Sequence, residues 1–422
     1  MLTLLLSVQC QPVKFDNESP VLEDSAMRVF VTRYGISKYC TRNVQNAIGS
    51  IQGSISALQV QFTTLGVQIT LNNGRILQVD ISNMNIYLQN DSAIIKVTDV
   101  ALDIVFELKL EQRSFPYLYD SGTLQLKIND FTISTYASVA FNDECKSKYT
   151  IYTRDTRVSI ENFSISFQCG NQVLLNSISL FITEFLKDIL NGDLGQSVGQ
   201  SIMDALMKLL IEQTYYPRVD YTYPIATDQR YFNGLQITEN YIIVNSTGQR
   251  CQTQQGLSWC KGYLNQTVTP TKTFFTNHDV QYQIEKLAFN SGFQLYLQEQ
   301  RKIENIIIKN ITLVKFHNTG AELQVIVDVD GVEHNLKYLE PVVFQVVRIK
   351  NNVDYGRFVL RLTNLISKTT LSQSQINKLS TYYENSAYMY DISYASALGV
   401  SVDKAETIYL DENWIHIGSY ID

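Results

Sequence analysis

The stretch that decides the fold is LKINDFTI, residues 126–133. Leu126 and Ile128 are apolar at every second position, the period of a strand with one face in a core. The alternation then slips by one, and Phe131 and Ile133 continue it from the opposite parity. Such a slip turns a strand's apolar side toward solvent. A β-bulge avoids this: it absorbs one extra residue, bends and twists the strand, and keeps the same face on the core. The spelling recurs in VDISNMNI (Val79, Ile81, then Met84, Ile86), IKVTDVAL (Ile95, Val97, then Val100, Leu102) and VSIENFSI (Val158, Ile160, then Phe163, Ile165). Past the middle of the chain come IIIKNITL (Ile306, Ile308, then Ile311, Leu313) and a looser copy, LRLTNLIS, at 360–367. Repeated on neighbouring strands, bulges curl an antiparallel sheet until it wraps something.

The chain of 422 residues has room for two or three domains. Hydrophobic residues make up 45% and charged residues 18%, which suits a large buried core and argues against disorder. The formal charge of −7 gives no sign of a nucleic-acid partner. The opening MLTLLLSVQCQPV matches the apolar part of a signal peptide, residues 1–10, with a cut at Gln11. No later stretch is long and apolar enough to predict a transmembrane helix. N-x-[ST] glycosylation sequons begin at Asn17, Asn90, Asn162, Asn245, Asn265 and Asn310. Cys251 and Cys260 flank a short loop that a disulfide would staple. Cys145 and Cys169 bracket two strand-like runs, and Cys40 sits on a helix face; sequence alone does not fix the pairing. Together these features point to a secreted protein or one held in the lumen of the secretory pathway.

Residues 34–58 place Ile36, Cys40, Val44, Ile48, Ile51, Ile55 and Leu58 at steps of three and four, one helical stripe. LGVQITLNNGRILQVDI then reads as a hairpin turning at Asn73-Gly74. VALDIVFELKL alternates without a break, with Val100, Leu102, Ile104, Phe106, Leu108 and Leu110 on one side. Residues 173–211 read as a long helix with a wide apolar stripe that includes Leu174, Leu175, Ile178, Phe181, Ile182, Phe185 and Ile189. A Pro-bearing, aromatic-rich segment at 215–232 crosses to a second half that repeats the order. It has a strand in VQYQIEKL, a short helix in AFNSGFQLYLQEQ, further strands, a helix around 369–392 with Leu371, Ile376, Leu379 and Tyr383, and a final strand pair ending in NWIHIGSYI. The fold class is α+β: in each half a bulged, curling antiparallel sheet is wrapped on a helix.

Signatures of enzyme chemistry are missing from the sequence. It has no G-x-S-x-G, no H-E-x-x-H and no G-x-x-x-x-G-K-[ST], and His278, His317, His334 and His416 all lie in the second half. DVDGVE lacks the ligand spacing of a calcium loop and reads as a hairpin turn. No metal, cofactor or catalytic residue is expected.

The order of these elements resembles the bactericidal/permeability-increasing and lipopolysaccharide-binding protein group, which includes the plasma lipid transfer proteins. The resemblance runs from about Arg28 to Tyr420. It is carried by ISNMNI and IENFSI, the long helix after them, the crossover, KLAFNSGF and the closing ENWIHIGSY. It implies an elongated, boomerang-shaped, tubular lipid-binding fold. An N-terminal barrel would take 20–220, a crossover and central sheet 215–275, and a C-terminal barrel 276–422.

The resemblance implies a first pocket lined by Ile36, Cys40, Val44, Ile48, Ile51, Leu58, Leu102, Ile104, Phe106, Leu175, Ile178, Phe181, Ile182, Phe185 and Ile189. It implies a second lined by Leu287, Phe289, Phe293, Leu295, Leu371, Leu379 and Tyr383. Cys145 and Cys169 resemble the family's disulfide, although Cys169 falls just before the long helix. The implied partner is a phospholipid or other amphipathic lipid, with transient contact to a membrane or lipid particle; the oligomeric state stays open. Residues 11–224 carry 17 Lys/Arg against 22 Asp/Glu, a net of −5. This ranks antibacterial lipopolysaccharide binding below carriage of neutral or zwitterionic lipid; a structural or adhesive role on the same scaffold remains the other alternative.

Overall fold

The structure is a computed structural model. It describes residues 14–15, 25–56, 59–115, 117–141, 149–169, 179, 182–188, 191–192, 200, 219–220, 225–227, 231–246, 248–252, 259–260, 268–271, 276–299, 302–349, 353–385, 389–391 and 404–422.

The first half is a sheet of unusually long strands. Helix α1 (Arg33–Ser56) follows strand β1 (Met27–Thr32). The helix is capped by Thr32, whose hydroxyl accepts the Gly35 N–H at 3.1 Å. Then come β2 (Val60–Thr64), β3 (Val67–Gln89), β4 (Ser92–Gln112), β5 (Leu118–Phe141), β6 (Tyr149–Ile160) and β7 (Phe163–Cys169). They pair antiparallel in the order β2-β3-β4-β5-β6, and β7 takes over from β6 along β5. The inward side chains of β4 from Ala93 to Leu110 are all buried, as the alternation predicts.

The parity slips line up across this sheet. Ile81, Val100, Phe131 and Ile160 are cross-strand partners in one unbroken row. In β3 and β4 the slips lie opposite each other, with Asn83 paired to Thr98. In β5 and at the β6–β7 break they lie one row over: the Asn129 N–H donates to the Asn162 carbonyl at 3.1 Å, and the Asn162 side chain donates to Asp130 Oδ2 at 2.5 Å. Asp99, at the β4 bulge, has φ 57°, a left-handed backbone that Asp tolerates better than most residues. Because neighbours slip together, the inner face stays apolar on both sides of the crease. This is the physical content of the recurring motif.

Two expectations fail. Asn73-Gly74 does not turn a hairpin, because β3 runs straight through it with a register shift between Asn72 and Arg75. The segment is a bulge under α1. A Cβ at Gly74 would lie 2.7 Å from Ile55 Cγ2 and 2.8 Å from the Ile55 carbonyl oxygen, so only glycine admits the helix there. Gln52 satisfies the interrupted ladder by donating to the Gly74 carbonyl at 3.2 Å and accepting the Ile76 N–H at 2.7 Å. The loose copy at 360–367 is not a bulged strand either. Buried Glu340 captures the Thr363 and Asn364 N–H groups, each at 2.6 Å, and only an isolated bridge from Leu365 to Tyr338 remains.

A central sheet gathers distant parts of the chain. It contains β8 (Tyr231–Ile237), β9 (Tyr241–Ser246), β10 (Val280–Glu285), β14 (Glu406–Leu410) and β15 (Trp414–Ser419). Its order is β8-β9-β1-β10-β15-β14, all antiparallel. The second half follows β10 with α2 (Lys286–Glu299), β11 (Ile306–His317), β12 (Gly320–Val329), β13 (Val332–Glu340) and α3 (Gln373–Asn385). The IIIKNITL slip is again a bulge, with register shifts between Ile308 and Asn310 and between Leu313 and Lys315. Here the neighbouring β12 alternates without interruption. DVDGVE is the β12–β13 turn, with Asp330 and Gly331 at positive φ. Among the described residues no helix is long and apolar enough to cross a membrane.

Candidate functional site

The first half's sheet is tied across its edges by the helical stretch 182–188, Asn191 and Gln200. Phe185 stacks on Phe62 of β2, ring centroids 3.7 Å apart. Asn191 accepts the Ile160 N–H of β6 at 2.7 Å, and Gln200 bonds Thr156 at 2.8 Å and also Thr153. Ile182 and Leu186 of this stretch are buried. Among the described residues β7 has β5 as its sheet partner and no strand on its other side. Its inward residues Phe163, Ile165 and Phe167 are half-exposed, although their partners Ile128, Leu126 and Leu124 are buried. The outward residues are Ser164, Ser166 and Gln168, so this apolar lip carries no charge. Among the described residues it is a continuous half-exposed row on the inner wall of the first half, and Val79 and Val158 are half-buried on the same wall.

Of the first-pocket residues, Ile36, Leu102, Ile104, Phe106 and Ile182 are buried in one core cluster, and Phe185 packs half-buried against it. Leu58, Leu175, Ile178, Phe181 and Ile189 lie outside the described residues, as do the side chains of Cys40, Val44, Ile48 and Ile51. Phe62, Phe163, Ile165 and Phe167 were missed as lining residues. The signal was present for three of them in the strict alternation of FSISFQ, but that sequence does not reveal that β7 is an edge.

The second-pocket residues Leu287, Phe289, Phe293, Leu379 and Tyr383 are fully buried, with Leu371 half-buried beside them. Leu295 is buried outside that cluster. α2 is fixed on β11 by Asn290, which accepts the Leu313 N–H at 2.7 Å and donates to its carbonyl at 3.1 Å. The Tyr338 hydroxyl is buried in this half without a hydrogen-bond partner, and burial, with Glu340 nearby, pushes its pKa up to about 12.

The four histidines have polar neighbours. His278 contacts Glu406 at 2.6 Å, His317 contacts Glu322 at 2.8 Å, His334 lies 3.4 Å from Thr370 and His416 lies 3.1 Å from Thr271. Among the described residues no group of three or more His, Cys, Asp or Glu is arranged to hold a metal. Of the sequon residues, Asn90 and Asn162 are exposed. Asn245 and Asn310 are half-buried within strands, and Asn17 and Asn265 lie outside the described residues. Cys145 also lies outside them, as do the side chains of Cys169, Cys251 and Cys260.

This curled, creased sheet with its tying helix, joined through a central sheet to a second sheet-and-helix half, is a fold the chain shares with lipopolysaccharide binding protein. The chain is similar over 94% of its length to lipopolysaccharide binding protein, with 99% of that chain covered, 12% identity and a TM-score of 0.56. Weaker likenesses are to Takeout 1 of Epiphyas postvittana (13% identity, 42% of this chain and 91% of that one, TM-score 0.31) and to latherin (15%, 42% and 81%, 0.23). Neither of these two carries weight at such scores. No family model matches the sequence, and no curated protein matches it.

Proposed function

We propose that this chain is a secreted lipid-binding and lipid-transfer protein. Its first half holds phospholipid acyl chains against the open β7 lip, between sheet and helix. The observation that carries the reading is the half-exposed row Phe163, Ile165 and Phe167, whose cross-strand partners Ile128, Leu126 and Leu124 are buried. Inward side chains with no exposure leave no room for a ligand, and apolar side chains left accessible on an inner wall call for a cover. The shared fold with lipopolysaccharide binding protein, whose name states a lipid-bearing ligand, supports the same class of cargo. The two halves would then be two barrels flanking the central sheet, with the second barrel packed as ordinary core.

The mechanism needs no covalent chemistry. Each buried CH₂ contributes roughly 0.8 kcal/mol, and a bilayer offers the tails the same. A protein that matches the bilayer and opens at one edge exchanges lipid by partition, with the head group left at the uncharged lip. Anionic lipopolysaccharide is disfavoured as cargo by the net charge of −5 over residues 11–224. The test is native mass spectrometry of the purified, deglycosylated chain, followed by lipid extraction. Phospholipid in a whole-number ratio to the chain supports carriage and names the cargo. A bare polypeptide that takes up no lipid from vesicles returns the β7 row to ordinary packing and favours a structural or adhesive role.

A further inference from the structure

The outer face of the first half's sheet, turned away from the apolar wall, carries three exposed rings in one neighbourhood. They are Tyr87 on β3 (48% exposed), Tyr136 on β5 (36%) and Tyr152 on β6 (56%). Alternation sets their direction, since the chain neighbours Ile86, Leu88, Thr135 and Ala137 are buried. The registers bring the rings together. Tyr87 pairs with Ile94 and Ile94 with Tyr136, so those two rings share a row two strands apart, about 10 Å. Tyr152 pairs with Ser138, the next outward position on β5. Cations interleave with the rings: Arg154 pairs with Tyr136, while Lys96 and Arg157 flank Ser134, the outward position before Tyr136. All three cations are exposed. Elsewhere on this face Lys127 is matched by Asp103 at 3.7 Å, but Lys96, Arg154 and Arg157 form no ion pair among the described residues. Asp155, exposed in the bulge between the two arginines at φ 53°, pairs with neither.

We infer that this face is a binding platform for an anionic polysaccharide, a role separate from lipid carriage on the opposite face of the same sheet. A pyranose ring presents a flat face of C–H groups, which packs on the electron-rich face of a tyrosine ring. Arginine forks and a lysine supply charge-assisted hydrogen bonds to carboxylate or sulfate groups along such a chain. The rings and cations are spread over four strands and do not converge on a point. That suits an extended ligand, whereas small molecules take concave sites. A peptide is captured at a sheet edge or in a groove, but Ile94 and Tyr136, at the centre of this patch, lie on strands paired on both sides. A nucleic acid draws its affinity from many neutralised phosphates, and three cations on a chain of net charge −7 offer few. A more sparsely charged polysaccharide draws on the rings as well.

The experiment is calorimetric titration of the full chain with four probes: an oligogalacturonate, dextran sulfate, neutral dextran and an oligothymidylate. The parent is expected to bind at least one of the two anionic polysaccharides, and the tighter of them names the acid group as carboxylate or sulfate. Tyr136→Ala with Tyr152→Ala should raise the Kd about tenfold. Arg154→Gln with Arg157→Gln should raise it by a similar factor, and added salt should weaken the parent's binding. Leu77→Ser, exposed elsewhere on the same sheet, should bind like the parent. Circular dichroism and the lipid content by native mass should be the same in every variant, so a failed platform is distinguishable from failed carriage. The inference is overturned if neither anionic polysaccharide binds, or if neutral dextran binds as well as they do. It is also overturned if the tyrosine pair is substituted without loss, which would leave only ion exchange, or if the oligothymidylate binds more tightly than both.

Discussion

The two halves solve the same sequence problem differently. In the first, four neighbouring strand positions slip along one crease, so the whole sheet bends, and one edge, β7, is left with accessible inward side chains. In the second, β11 bulges alone against an uninterrupted β12, and the inward residues Ile306, Ile308, Ile311 and Leu313 are sealed. A shared bulge line bends a sheet, whereas a lone bulge adjusts one strand to the helix above it. The lesson is that an apolar helix facing a curved sheet is not by itself a pocket. What distinguishes the halves is whether the inner wall stays reachable.

Substitutions matched across the halves give the sharpest break. Leu323→Asp, on the sealed wall of β12, puts an unpaired carboxylate into the core and is expected to abolish soluble folded protein. Ile165→Asp, on the β7 lip, should fold and lose bound lipid, as read by circular dichroism and native mass. Equal damage from both would erase the distinction. On the crease itself, Phe131→Ala removes a fully buried ring from the row shared by four strands and should cost about 3–5 kcal/mol in urea unfolding.

A smaller effect sits at the junction between the central sheet and the second half. Glu285 is buried and caps α2 through the Leu287 N–H, and burial pushes its pKa up to about 7 from 4.5. A carboxyl raised in the folded state stabilises below its unfolded pKa, and that contribution is lost as pH rises through the folded value. Stability should therefore fall between about pH 4.5 and pH 7, by up to about 3 kcal/mol. Glu285→Gln keeps an acceptor for Leu287 and should flatten that slope. His416 works on the same interval in the opposite sense. Burial lowers its pKa to about 4 from 6.5, so its contribution is complete above about 6.5 and lost on acidification; His416→Gln should remove that acid limb. Smallest is the capping box of α3. The Gln375 N–H donates to the Ser372 hydroxyl at 3.3 Å, and Gln375 Oε1 accepts the Ser372 N–H at 2.9 Å. Ser372→Ala should cost about 1 kcal/mol in thermal unfolding.

Much of this protein was determined by the sequence alone, because side-chain period is a local property. The alternation of β4, the helix at Arg33–Ser56, the VQYQIE strand with its following helix, and the recurring slip all follow from which residues can face one core. Misreadings arose where a distant element decides a local choice. Asn73-Gly74 has the chemistry of a hairpin turn, but α1 needs the space that glycine leaves, and Gln52 replaces the lost ladder bonds. LRLTNLIS repeats the slip, but Glu340 takes the N–H groups a strand would have used. The candidate site belongs to that second kind. FSISFQ shows which residues of β7 face inward, but it does not show that, among the described residues, β7 pairs on one side only. Which strand lies at an edge, and which outward residues become neighbours, depend on the pairing of segments far apart in the chain. Only the tertiary structure sets that pairing.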